Sequence, residues 1–156
     1  MKIRVIFGVV IIVLGLLVAI GPQVIFKPCQ NQLRVTDGTI KDDGTVNILR
    51  EVPMRCVWTA GADLGIGILI AILGIGTIVF ASAKVRLGLV IGLFFSSIYT
   101  LLLHMNAAAP KNVLIGVCRG EAMLCRQGFA QALTSLSILL IIINALYLLY
   151  LSRNKE

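Results

Sequence analysis

The sequence predicts an all-α transmembrane four-helix bundle with a small β-hairpin or meander in its first extracytoplasmic loop. Three observations predict it. Four apolar stretches each approach the length of a membrane-crossing helix, the scarce charges are gathered beside those stretches, and strand and turn signals are confined to one connecting loop. The chain of 156 residues is 58% hydrophobic and 13% charged, with a mean hydropathy of +0.99. A soluble domain is about a quarter charged. A net charge of +7 would suggest nucleic acid in a soluble protein, but here the basic residues flank apolar segments. Membrane topology accounts for them, and no nucleic-acid partner is read.

The spans fall at about 5–26, 60–81, 87–105 and 129–151, each near the roughly 20 residues that cross a 30 Å hydrocarbon core. They form a single integral membrane domain over 1–156. Lys2 and Arg4 before the first apolar run resemble the start of a signal peptide. The run is too long for one and lacks a convincing cleavage site, so it reads as a retained span. Outer loops follow at about 27–59 and 106–128. In the first, Gln32–Val35 and Thr45–Leu49 have strand character, and Asp37-Gly38 and Asp43-Gly44 are turn dipeptides.

Orientation follows from the short segments. Lys2 and Arg4, then Lys84 and Arg86, then Arg153 and Lys155 lie in brief stretches where Glu156 is the only acid. The long loops hold eight basic residues, diluted and mixed with Asp37, Asp42, Asp43, Glu51 and Glu121. The positive-inside rule therefore puts both termini in the cytoplasm and the long loops outside the cell membrane.

Cys29, Cys56, Cys118 and Cys125 then all fall in the outer loops, where disulfides persist. Four cysteines allow three connectivities. An internal echo favours pairing within each loop. Pro22–Cys29 resembles Pro110–Cys118, and each loop closes on Met-x-Cys, at Met54-Arg55-Cys56 and Met123-Leu124-Cys125. Chance similarity between short, biased segments is the alternative. A bond closing such a loop contributes roughly 3 kcal/mol by restricting the unfolded chain. Redox use is the sharper reading, because bacterial disulfide-forming membrane oxidoreductases share this topology. However, the chain contains no C-x-x-C.

Asp63 is the one acid within a span, so it is a candidate intramembrane polar site, with Arg55 or water as its expected partner. His104 reads as an interfacial residue at the end of span three, and no metal is assigned. Asn144 can hydrogen-bond another helix. Gly61-x-x-x-Gly65 and Gly88-x-x-x-Gly92 predict close helix packing, supported by Gly8, Gly15, Gly67, Gly74 and Gly76. No nucleotide motif, paired carboxylates or Ser/His/Asp set is present, so neither an enzyme nor a cofactor is read.

Ile20-Gly21-Pro22, Lys27-Pro28-Cys29 and Met54-Arg55-Cys56-Val57-Trp58-Thr59-Ala60 leading into Asp63-Leu64-Gly65-Ile66-Gly67 carry a resemblance. They are similar to a bacterial family of small four-span membrane proteins of unknown function, often encoded beside macrolide-exporter-like ABC transporters. The β-bearing first loop is claudin-like by analogy of architecture only. The resemblance supplies a context rather than a mechanism. Minimal cytoplasmic segments, no catalytic set and structured outer loops lead to a non-enzymatic accessory subunit of a membrane complex. Its medium is the lipid bilayer, and the family's context implies an ABC transporter permease as partner. A quinone-linked thiol-disulfide oxidoreductase is the alternative, and a small transporter or channel using Asp63 the third reading.

Overall fold

The computed structural model describes residues 2–25, 32–40, 46–53, 55–105 and 125–153. Helix α1 spans Lys2–Val24, α2 Arg55–Val79, α3 Ala83–Met105 and α4 Gln131–Arg153, the last preceded by a π-helical turn over Cys125–Ala130. All four helices are long and apolar enough to cross a membrane. Helix α2 begins five residues before the expected span. Cys56 and Thr59 therefore lie on a helix, both buried, rather than in a loop. The link from α2 to α3 is residues 80–82, where Phe80 N donates to Gly76 O (3.0 Å) and Arg86 N to Ser82 O (3.1 Å). So short a link forces α2 and α3 to run antiparallel as neighbours.

Residues Gln32–Ile40 (β1) and Val46–Pro53 (β2) pair antiparallel, with Arg34 opposite Glu51 and Thr36 opposite Ile48. Asp37-Gly38 does not turn the chain but lies inside β1, where the register is irregular between Thr36 and Ile40. The Asp43-Gly44 turn lies outside the described residues.

Buried positions recur at alternating steps of three and four. On α2 they are Cys56, Ala60, Asp63, Gly67, Ile70, Gly74 and Thr77; on α3, Val90, Leu93, Ser97, Thr100 and His104; on α4, Leu133, Ser137, Leu140, Asn144 and Tyr147. A sustained seven-residue repeat underwinds helices into a left-handed bundle with crossing angles near about +20°. Ile11, Val18, Ile70, Val90, Leu93 and Leu140 are wholly buried at its centre.

Glycine decides how α1 meets α2. A Cβ on Gly15 would lie 2.9 Å from both Ala71 N and Gly67 O, and one on Gly67 would collide with the Ala19 backbone. The two backbones touch, so dispersion contacts form along the seam without side chains between them. Gln23 Nε2 adds a bond to Ala60 O (3.4 Å) at one end of this seam. The glycines singled out as packing sites behave differently. Gly61, Gly65 and Gly88 have nothing within 4 Å of an added Cβ, and Gly92 makes only ordinary contact with Leu73. The close approach is made by Gly15 and Gly67 instead, because these fall on the buried repeat and Gly61, Gly65 and Gly88 fall on the outer face.

The polarity of the bundle is inverted relative to a soluble protein. Thr59, Asp63, Thr77, Ser97, Thr100, His104, Ser137 and Asn144 are buried, whereas Ile6, Ile72, Phe95 and Leu146 are more than half exposed. Such a surface is stable only where the solvent is hydrocarbon and polar groups must bond inside.

Candidate functional site: a buried His–Asp pair

Asp63 lies about 12 Å along α2 from its first residue, and His104 is in the last turn of α3. The antiparallel α2–α3 hairpin brings these residues, 41 apart in sequence, to one level of the bundle. His104 Nε2 lies 3.0 Å from Asp63 Oδ2, and both side chains are 0% exposed. The ring's other nitrogen, Nδ1, lies 2.7 Å from Thr100 O. A carbonyl only accepts, so Nδ1 carries a hydrogen and donates.

Phe129, from the π-helical turn, presents an edge-type contact to the His104 ring (centroids 6.0 Å apart, planes at 68°). Phe129 in turn packs with Cys56, Ala60 and Leu133, which close the pair off on that side. Asp63 Oδ1 is buried and has no hydrogen-bond partner among the described residues. An unfilled buried acceptor costs about 1–3 kcal/mol, more when charged, so this atom is the least satisfied feature of the site.

Deeper in the bundle a second polar layer ties α3 to α4. Asn144 Nδ2 donates to Ser97 Oγ (3.1 Å), and that hydroxyl donates to Leu93 O (2.8 Å). Ser137 and Thr100 return their hydroxyls to carbonyls of their own helices, at Leu133 O and Ser96 O (2.8 Å each). Such back-bonding satisfies a hydroxyl without a partner helix.

The structure thus joins Asp63 to His104, which sequence reasoning had placed at one interface without pairing them. Asn144 bonds a neighbouring helix, as its type suggested. The Arg55 side chain lies outside the described residues, as do Cys29, Cys118 and the side chain of Cys125, so the expected disulfides do too. A signal for the pair was present. A lone acid and a lone imidazole, each in an apolar span near the same end, would each be costly unless they met.

Four membrane-length helices with an apolar outer surface and polar side chains bonded inside define a multi-pass helical membrane protein. Residues 11–150 match the DUF4418 family, a domain of unknown function, and the chain belongs to that family. No curated protein and no solved structure matches the chain.

Proposed function

We propose that this protein is a non-enzymatic accessory subunit of a membrane assembly, with an ABC-type transporter as the assembly implied by the resemblance. One observation carries the reading. The small-xxx-small face of α2 at Gly61 and Gly65, with Gly88 on α3, is left open by the packing of the described residues. In hydrocarbon, a flat glycine face gains dispersion energy when another helix lies against it. A partner span is the helix available to do so.

The same proposal includes the orientation. Both termini are cytoplasmic in the cell membrane, and β1 and β2 form a hairpin in the outer loop. Cys29–Cys56 and Cys118–Cys125 disulfides staple the outer face for docking of an extracytoplasmic domain. Detergent extraction from the native membrane followed by affinity purification tests it. A stoichiometric partner should accompany the chain, and the Gly61→Leu/Gly65→Leu variant should lose that partner with its helix content unchanged. Recovery of the chain alone would count against the proposal.

The oxidoreductase reading draws on a different observation. Cys56 packs on Phe129, whose ring meets His104, so a sulfur lies near the buried His–Asp pair. Under that reading, Cys118→Ala/Cys125→Ala abolishes electron transfer to a quinone while the fold persists. A loss of thermal stability instead supports the staple.

A further inference from the structure

A groove of about 440 Å³, open along one side, runs between the N-terminal part of α1 and the C-terminal part of α4. Its walls are apolar, with Ile6, Phe7 and Val10 from α1 and Ile143, Leu146 and Tyr147 from α4. It exists because α1 is held against α2 by glycines and touches α4 far less. Phe7 stacks on Tyr147 (3.8 Å between centroids, planes at 12°), and Tyr147 on Tyr150 (6.0 Å, 16°), which gives the groove a flat aromatic wall.

We propose that this groove binds one anionic phospholipid, with an acyl chain along its length and the phosphate at Arg4. Length is the first argument. From Ile3 to Val10 the groove runs about 10 Å, most of the roughly 15 Å depth of one leaflet of hydrocarbon. An acyl chain is the apolar ligand present at that depth in every bilayer. Charge is the second. Arg4 lies in sequence between the lining residues Ile3 and Phe7, is half-buried, and its Nε–H has no hydrogen-bond partner among the described residues. Arg153 lies one turn beyond Tyr150, which also lines the groove. Lys2, Arg4, Lys84, Arg86 and Arg153 fall at this end of the helices. The N-terminus of the 23-residue α1 adds the positive end of its dipole. A phosphate meets all of these requirements, and basic pockets between spans are recognised sites for anionic headgroups.

The test uses the full-length protein, delipidated in detergent and titrated with phosphatidylglycerol or phosphatidylcholine, with bound lipids counted by native mass spectrometry. The wild type should retain one phosphatidylglycerol, favoured over phosphatidylcholine by about fivefold for each cation engaged. Arg4→Gln should lower phosphatidylglycerol retention by about fivefold and leave phosphatidylcholine unchanged. Leu146→Trp, which fills the groove, should lower both; Val10→Phe serves the same purpose if that variant fails to fold by circular dichroism. Equal retention of the two lipids by the wild type would overturn the proposal. So would undiminished phosphatidylglycerol binding in Arg4→Gln, or in the filled groove.

Discussion

At the scale of single residues, the described part of the protein encloses an acid and an imidazole as a pair. Asp63 and His104 are each fully buried, and each is the partner that makes the other tolerable. Removing one side leaves the remaining polar group unpaired in a low-dielectric interior, which costs about 3–5 kcal/mol. We expect His104→Leu and Asp63→Leu each to lower the thermal midpoint in detergent markedly. The double variant should recover much of the loss, since two apolar groups leave nothing unpaired; additive losses would show that the pair is not coupled. Asp63→Asn can still donate from its amide to Nε2, so its stability should stay near wild type. Unchanged ion flux in that variant, measured in proteoliposomes, would remove the reading of Asp63 as a transport carboxylate.

At the scale of elements, the two glycine sets separate packing from presentation. Gly15 and Gly67 lie on the α1–α2 seam, where an added methyl meets backbone that cannot rotate away. Gly67→Ala should therefore destabilise the protein by about 1–3 kcal/mol, as overpacking does. Gly65→Ala, on the open face, should be neutral or slightly stabilising, because alanine is the better helix former by about 1 kcal/mol. Thermal unfolding of the two variants side by side decides the matter, and equal losses would contradict the seam. The sequence motif alone pointed to Gly61, Gly65, Gly88 and Gly92 as packing sites. The motif reports small residues at a four-residue spacing but not which face of the helix turns inward. The seven-residue recurrence of Gly8, Gly15 and Pro22, and of Gly67 and Gly74, carried that information.

At the scale of the whole molecule, burial is inverted: hydroxyls, an amide and the His–Asp pair inside, branched and aromatic side chains outside. The inversion yields a direct contrast. Phe95 is 64% exposed and Ser97, two residues on, is wholly buried. Phe95→Lys should impair membrane insertion by roughly 2.5–3.5 kcal/mol if its position is near mid-membrane. Ser97→Ala should insert normally, losing the bond from Asn144 and the one its own hydroxyl donates to Leu93 O. A glycosylation-based insertion assay reads both. Orientation is a separate matter, tested by Ser152→Cys, which lies in the exposed last turn of α4. An impermeant maleimide should label it in inverted vesicles and not in intact cells, and the opposite pattern would reverse the proposed topology.

The number of spans, their approximate bounds and the membrane as solvent were legible in the sequence, since each depends on local apolar length and on charge placement. Helix α2 nonetheless extended past its expected start and took Cys56 with it, because Cys56 and Ala60 pack inward with Phe129 and Leu133. The partner of Asp63 and the bond from Asn144 to Ser97 were decided only by the tertiary structure. Each depends on which face of a helix meets which neighbour. That is settled by the summed packing of all four helices, and no single segment contains it.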